Sequence, residues 1–162
     1  MDNVAILLFA GILSCLIWGT NAQASEFSSS VHCLAKTMYH EARGQDTVGQ
    51  VAVADVVMNR VNDKRFPDTI CKVIYQAKYD SRGHVLLHQC QFSWYCDGKA
   101  DVEKNLIVYT KLVRLAFIML YDKSNRIDIT DGSIFYHNKS VHPYWAVYQK
   151  KTVTIGNHVF YK

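Results

Sequence analysis

The stretch VHCLAKTMYHEARGQDTVGQVAVADVVMNRV, residues 31–61, predicts two helices that meet at a glycine. Its first apolar residues recur at helical spacing: Val31, Leu34, Ala35 and Met38. This period predicts a helix over residues 30–43, with the serines before it as a capping lead-in. Gly44 follows as a suitable residue for ending that helix, because glycine adopts the left-handed conformation freely.

The second half of the stretch predicts a mostly buried helix over residues 48–61, since small and β-branched residues fill it almost without interruption. Thr47 and Gln50 have the spacing of a capping box, in which a hydroxyl and a side-chain amide satisfy free backbone groups at a helix start.

Glu41 is the unexpected residue of this stretch. It lies seven residues after Leu34 and three after Met38, so the three share one face of the first helix. A carboxylate aimed at a core either finds a partner or keeps a proton, because burial disfavours the charged form. A protonated carboxyl near neutral pH is what general acid catalysis requires. The alternative is that Glu41 reaches solvent or pairs with Arg43 or Arg60.

The rest of the chain predicts an α+β domain, with helices first and a small antiparallel sheet last. Residues 65–77 predict a loop, a cap at Asp68 or Thr69, and a short helix. Residues 101–122 predict the longest helix, and its expected inward face is Leu106, Tyr109, Val113, Phe117 and Leu120. Residues 133–137 and 152–162 are rich in β-branched and aromatic residues, and Gly156-Asn157 predicts a hairpin between short strands.

The N-terminus predicts export. Residues 4–18 are almost wholly apolar, and Ala22-Gln23-Ala24 fits a cleavage site, so residues 1–24 are expected to be a signal peptide and 25–162 the functional domain. The first residues carry an aspartate and no basic residue, which keeps an uncleaved signal anchor open as the alternative. Only in that case is a membrane contact expected. An exported chain acts in the periplasm, outside the cell or in the cell wall.

Composition is that of an ordinary globular protein, with 162 residues, 49% hydrophobic and 20% charged. The formal charge is +4 and becomes +5 once Asp2 leaves with the signal. A basic surface favours an anionic partner, but the basic residues are scattered and form no strip of the kind that binds nucleic acid. We expect a monomer.

Four cysteines remain after cleavage, and an even number in an exported chain predicts two disulfides. Of the three possible connectivities, we favour Cys90–Cys96, which closes a tight loop, and Cys33–Cys71, which ties two helices together. A zinc site is disfavoured because the spacings contain no C-x2-C pair.

The sequence gives only weak indications of a metal site or of a serine nucleophile. HEARG lacks the second histidine of a zinc-protease helix. His84 and His88 are four apart and would flank a metal on a helix, but no third ligand is indicated, so neither metal nor cofactor is expected. Ser93 lacks the glycines of a nucleophile elbow.

Five blocks of the sequence together resemble one family, the spore-cortex-lytic, SleB-type cell-wall hydrolases. The blocks are CLAKTMYHEARGQDTVGQVAVADVVMNRV, RFPDTICKVIYQ, CQFSWYCDG, DITDGSIFYHNKSVHPYW and TVTIGNHVFYK. They stand in the family's order and cover about residues 33–161. Two departures are visible: Gln45 stands where the family usually has glutamate, and Ser133-Ile134-Phe135 replaces a more usual Ala-Thr-His.

The resemblance implies a lysozyme-like α+β fold and cleavage of the peptidoglycan glycan strand between N-acetylmuramic acid and N-acetylglucosamine. It implies lytic transglycosylation with one catalytic glutamate, which maps to Glu41. The alternatives are hydrolysis with a second carboxylate, for which Asp97 and Asp131 are candidates, or a peptidoglycan-binding relative without catalysis.

The expected substrate contacts fall in two segments. In residues 91–94, the rings of Phe92 and Trp94 alternate with Gln91 and Ser93, which suggests sugar stacking beside hydrogen bonds to hydroxyl and acetamide groups. The family pattern places Tyr136 and His137 on a strand at the cleft, with His142 and Trp145 in its wall. For Trp94 and Tyr136 the alternative is an ordinary core side chain.

Overall fold

The first helix is much longer than the sequence predicts. In the computed structural model, which describes residues 3–122 and 125–162 and side chains from residue 21 onward, helix α1 runs Asn3–Ala42. The predicted start at residue 30 is wrong, because the serines continue the helix rather than cap it. The Ser29 hydroxyl donates to the Ser25 carbonyl 3.0 Å away, one turn earlier.

The export signal or anchor predicted over residues 1–24 falls mostly outside the described side chains and stays a prediction. Within the part of the chain that is described, we find no helix with both the length and the apolar character that a membrane span needs.

Helix α2, Thr47–Asn62, is mostly buried and packs against α1. Its cap is Asp46, whose carboxylate accepts a hydrogen bond from the Gly49 backbone N–H at 2.8 Å. The predicted capping box at Thr47 is therefore wrong by one position, since Asp46 already satisfies the free donor. The expected burial is confirmed, with no exposure of five residues: Ala52, Val53, Ala54, Val56 and Val57.

Helix α3, Ile70–Ile74, begins at Thr69, whose hydroxyl accepts from the Lys72 N–H at 3.4 Å. The favoured disulfide Cys33–Cys71 is present and ties α3 to α1. A two-stranded antiparallel hairpin that the sequence did not predict follows, formed by β1, Ala77–Tyr79, and β2, Val85–Cys90. The second favoured disulfide, Cys90–Cys96, closes a short 3-10 turn, Ser93–Cys96, directly after it.

Helix α4, Leu106–Tyr121, packs against α1. Its buried residues are Leu112, Ala116 and Met119. The predicted inward face is wrong for Leu106 and Phe117, which are 69% and 46% exposed, and Tyr109, Val113 and Leu120 are only partly buried. The helix is apolar on nearly all sides, so its sequence does not fix which side faces the core.

The C-terminal sheet has three strands: β3, Phe135–Asn138, β4, Lys151–Ile155, and β5, His158–Tyr161. Their order is β3-β5-β4, and the sheet is antiparallel throughout. A second 3-10 turn, Tyr144–Tyr148, lies between β3 and β4. The predicted hairpin is confirmed, with Gly156 at a φ of +53° in the turn. Phe160 packs with Ala52 and Val56, which joins the sheet to α2. The α+β class is thus confirmed.

Candidate active site

Glu41 lies in the last turn of α1, where the helix approaches the C-terminal sheet. Leu34 and Met38 are fully buried on the same face, as the helical phase predicts, while Glu41 is half-buried at the edge of that core. The Tyr136 hydroxyl of β3 donates a hydrogen bond to Glu41 Oε2 at 2.9 Å. The site therefore joins the helical half of the molecule to the sheet.

The surroundings of Glu41 favour its protonated form. Burial raises the pKa of Glu41, and this effect is opposed by the Tyr136 hydrogen bond and the positive charge of Arg60. Desolvation is the largest of these influences, because a carboxylate near the core loses water that the two partners replace only in part. A carboxyl in this state can donate its proton, and the two partners then stabilise the carboxylate that remains.

Arg60 of α2 supplies the positive charge that acts on Glu41. In the part of the chain that the structure describes, the two side chains form no direct ion pair within 4 Å. Arg60 Nε donates to the Ile134 carbonyl at 2.8 Å, and its guanidinium lies over the rings of Phe66 and Phe92, 5.2 and 5.1 Å from their centroids. The alternative that Glu41 pairs with Arg43 is not observed, since that guanidinium lies over the Tyr39 ring.

Tyr136 and His137 lie on opposite faces of β3, because neighbouring side chains of a strand alternate. Tyr136 faces inward, 4.9 Å from His158 between ring centroids. His137 faces outward, where its Nε2 is 2.9 Å from the Tyr161 hydroxyl and its ring contacts Trp145. Of the two residues expected on a strand at the cleft, Tyr136 contacts Glu41, whereas His137 lies on the opposite face of the strand.

The segment after β2 has the predicted alternation of polar and aromatic side chains, but the aromatic ones are buried and the polar ones exposed. Gln91 and Ser93 are exposed, whereas Phe92 and Trp94 are 2% and 7% exposed. The Trp94 ring stacks on His40 at 4.6 Å, and Arg60 lies over Phe92. This burial contradicts the predicted role of the two rings in stacking on sugars, because the turn closed by Cys90–Cys96 directs them into the core.

Gln45 makes a connection that sequence analysis did not anticipate. Its Nε2 is 2.9 Å from His158 Nδ1, and its Oε1 accepts from the Asn157 N–H at 3.0 Å. These bonds hold the β4–β5 turn against the start of α2, and a side chain at Gly156 would collide with this carboxamide. The departure from the family at Gln45 was visible in the sequence, but its partners lie more than a hundred residues away.

The two candidates for a second carboxylate are engaged with lysines. Asp97 lies 3.6 Å from Lys99, and Asp131 is exposed and 2.8 Å from Lys162. The Lys162 ammonium lowers the pKa of Asp131, so that carboxylate stays ionised. Neither candidate is among the groups that perturb Glu41.

His84 and His88, whose spacing would suit a metal only on a helix, do not lie on one. His84 precedes β2 and contacts Asp80 at 3.3 Å, while His88 lies within the strand. Among residues 3–122 and 125–162, no group of three or more histidine, cysteine or acidic side chains is placed to hold a metal ion.

A half-buried glutamate at a helix end, facing a small antiparallel sheet, defines the class as a lysozyme-like α+β protein. Two solved structures share this fold. The catalytic domain of the germination-specific lytic transglycosylase SleB from Bacillus anthracis is 27% identical, with a TM-score of 0.58 over 82% of this chain and 93% of that one. The catalytic domain of the Bacillus cereus SleB protein is 29% identical, with a TM-score of 0.57 over 82% and 89%.

Curated relatives agree with these structures. The spore cortex-lytic enzyme of Halalkalibacterium halodurans is 28% identical over 142 residues, which are 87% of this chain and 37% of the relative. That of Oceanobacillus iheyensis is 30% identical over 135 residues, or 83% of this chain and 42% of the relative. The chain spans less than half the length of these relatives.

The family model described as Cell Wall Hydrolase matches residues 44–161. The chain belongs to the cell wall hydrolase family, and the resemblance seen in the sequence is confirmed. The matched segment begins three residues after Glu41. It includes Arg60 and Tyr136, the two side chains that lower the pKa of Glu41.

Proposed function

We propose that the protein cleaves the glycan strand of peptidoglycan between N-acetylmuramic acid and N-acetylglucosamine, by lytic transglycosylation with Glu41 as the single acid and base. The observation that carries the proposal is the environment of Glu41, a carboxyl with a raised pKa held by the Tyr136 hydroxyl at 2.9 Å. Membership of the family and the similarity to a lytic transglycosylase support it.

The reaction needs one proton carrier. Protonated Glu41 gives its proton to the bridging oxygen while the bond from that oxygen to C1 of the muramic acid breaks, which releases the neighbouring sugar. The Glu41 carboxylate then takes the proton of the C6 hydroxyl as O6 bonds to C1. A 1,6-anhydro ring forms, Glu41 is protonated again, and no water is consumed.

Arg60 and Tyr136 would stabilise the intermediate state of this cycle. Between the two proton transfers Glu41 is an anion, and both the hydrogen bond and the guanidinium charge favour that form. Their effect is smaller than that of burial, so the acid also regains its proton readily. This balance suits a group that must act first as an acid and then as a base.

Substrate contacts in this proposal come from exposed polar residues. Gln91 and Ser93 project from the segment after β2 and would bond hydroxyl or acetamide groups, while Tyr136 orients Glu41. The protein would work outside the cytoplasm after loss of residues 1–24, with peptidoglycan as its partner.

The test is clearing of purified cell walls by the wild type and by Glu41→Gln. Glutamine keeps the shape of the side chain but has no transferable proton, so the rate should fall at least about 10²- to 10⁴-fold. Glu26→Gln is the matched control, since Glu26 is an exposed glutamate on the same helix, and it should clear walls normally. Normal clearing by Glu41→Gln would refute the assignment.

A further inference from the structure

Helix α4 exposes apolar side chains on the side that faces away from the core. A surface helix usually presents polar residues there, but five large apolar side chains of α4 are 46–77% exposed: Leu106, Ile107, Phe117, Ile118 and Tyr121. At about 100° per residue, their positions fall within one arc of about 120°. They form a continuous stripe, which we call the outer face of α4, and an exposed apolar stripe of this kind marks a site of interaction.

The outer face of α4 is held on a rigid support. On the opposite side of the helix Leu112, Ala116 and Met119 are buried, and α4 packs along α1. The Phe117 ring meets Phe27 of α1 edge-to-face at 5.6 Å between centroids. A partner that docks here therefore meets a surface that is already ordered and pays little conformational entropy.

Open cavities flank the outer face on both sides, each of about 450 Å³. The cavity between α1 and α4 is lined mainly by apolar side chains, including Phe27 and Val113. The cavity between α4 and the start of α2 includes the basic side chains Arg43 and Lys111. Arg114 lines both cavities, so a cation stands between an apolar and a polar surface.

The charge of this surface is positive. Helix α4, Leu106–Tyr121, contains Lys111 and Arg114, both exposed, and its sequence has no acidic residue. Among the described residues that line the two cavities, Asp46 is the only acidic one, and its carboxylate caps α2. Lysine and arginine lay their alkyl stems along apolar surface while their charged ends reach a polar layer. The matching partner is apolar inside and anionic at its surface.

A lipid layer fits this description better than a second copy of the chain. A two-fold contact through the outer face would bring the Lys111 and Arg114 side chains of one copy close to those of the other, and like charges repel. A helix with an apolar stripe and basic residues beside it is typical of helices that lie in the interface of an anionic membrane.

We propose that the outer face of α4 binds the surface of an anionic phospholipid bilayer, with its apolar side chains entering the boundary between headgroups and acyl chains and with Lys111 and Arg114 contacting the phosphates. This contact uses none of residues 1–24, and it does not rest on the proposed function. It would hold the domain at the membrane-facing side of the cell wall.

The experiment measures, by mass spectrometry, how fast each lysine of the full chain is acetylated without lipid, with phosphatidylglycerol vesicles and with phosphatidylcholine vesicles. Phosphatidylglycerol should slow acetylation of Lys111 about 5-fold when four fifths of the chain is bound, and phosphatidylcholine should not. Lys139 and Lys150, exposed lysines outside both cavities, are the internal controls and should keep their rates. Insertion of the N-terminus alone would not single out Lys111.

A pair of substitutions tests the apolar contact. Ile107→Ser combined with Ile118→Ser should remove the protection of Lys111, because both side chains are exposed and lie at the centre of the proposed contact. The matched control is Val141→Ser combined with Val147→Ser, two exposed valines outside α4, which should leave the protection as it is.

The charge contribution has its own variant. Arg114→Gln should weaken partition onto phosphatidylglycerol vesicles about 5-fold, the contribution of one basic residue near an anionic surface. Lys150→Gln, which changes the net charge equally, should have little effect. Raising the salt concentration should weaken binding of the wild type, because exposed charges are screened.

Acetylation of Lys111 at the same rate with and without phosphatidylglycerol would overturn the proposal. Equal slowing of Lys111, Lys139 and Lys150 would do so as well, since the vesicle would then cover no particular face, and equal protection by phosphatidylcholine would remove the role of charge. Protection of Lys111 that rises with protein concentration in the absence of lipid would assign the outer face to a second copy instead.

Discussion

At the scale of single residues, two groups act on the charged form of Glu41 from different elements. The Tyr136 hydroxyl comes from β3 and the Arg60 guanidinium from α2, and both oppose the effect of burial on its pKa. Arg60 is itself buried and held by the Ile134 carbonyl. The position of the acid is thus fixed by a hydrogen bond, and its proton affinity by a balance of three influences.

Tyr136→Phe should move the pH dependence of wall clearing. The Tyr136 hydrogen bond lowers the pKa of Glu41, so its loss raises that pKa and keeps the acid protonated to higher pH. The alkaline limb of the pH–rate profile should shift upward. The maximal rate should fall about 10- to 100-fold, since a hydrogen bond to the anion formed during the reaction is lost.

Tyr161→Phe is the control for this measurement. It removes a hydroxyl that bonds His137 on the outer face of the same sheet, so the alkaline limb should stay in place. An unshifted limb in Tyr136→Phe would show that the hydroxyl does not act on the group that limits activity.

At the scale of elements, the β4–β5 hairpin is held to the helical half through Gln45 and His158. Burial and the nearby His137 lower the pKa of His158. Because the folded pKa lies below the unfolded one, the unfolded chain binds more protons, and stability falls as pH drops through the folded pKa.

Gln45→Glu should reduce this loss of stability at acidic pH. A carboxylate beside His158 favours the protonated ring and raises its pKa, while its oxygen still accepts from the Asn157 N–H. Between pH 7 and pH 5 the melting temperature should fall less in the variant than in the wild type. Gln89→Glu, an exposed site on β2, should behave like the wild type, and equal losses in all three proteins would contradict the role of the Gln45–His158 contact.

The two disulfides should contribute unequally to stability. Cys33–Cys71 closes a loop of 38 residues and Cys90–Cys96 one of 6. The loop-entropy relation gives about 4 kcal/mol for the first and about 2 kcal/mol for the second. Denaturant unfolding of the paired Cys→Ala variants measures both, and a larger loss for Cys90–Cys96 would mean that native contacts outweigh loop length.

Local signals account for the elements that the sequence predicted correctly. A long run of small and β-branched residues identified α2, a cap at Asp68 or Thr69 identified α3, and Gly156-Asn157 identified the C-terminal hairpin. The β1–β2 hairpin was missed because its register is irregular and its sequence has little alternation. The inward face of α4 was wrong because an apolar surface on all sides leaves helical phase undetermined.

The candidate site was only partly predictable for a related reason. The helical phase of Glu41 is a local property and was correct. Its partner Tyr136 is 95 residues away and becomes its neighbour through packing of the sheet on α2, so the family resemblance, and no local pattern, placed it at the cleft. The rings of Phe92 and Trp94 were placed at the surface because alternation identifies two faces without telling which one is buried.

At the scale of the whole molecule, α1 links the apolar N-terminus to the site. It runs without a break from Asn3 to Ala42, so the segment predicted to direct export and the acid at its end belong to one helix. Among the side chains that the structure describes, from residue 21 onward, the core contacts of α1 begin near Phe27 and Val31. Removal of residues 1–24 leaves those contacts in place.

N-terminal sequencing of the exported protein should therefore start at Ser25, with the Glu41 site intact and active. The predicted cleavage after Ala24 lies before Phe27, whose ring packs against Phe117 of α4. A protein that retains residues 1–24 and stays with the membrane fraction would favour the signal anchor instead.

The most direct test of the central claim is mass spectrometry of the products released from purified peptidoglycan by the wild type and by Glu41→Gln. A single acid that acts without water predicts 1,6-anhydromuramoyl products from the wild type, about 18 Da lighter than the products of hydrolysis. It predicts essentially none from Glu41→Gln and a normal yield from Glu26→Gln. Reducing-end muramic acid as the main wild-type product would contradict the transglycosylase mechanism, and unchanged products from Glu41→Gln would contradict the role of Glu41 itself.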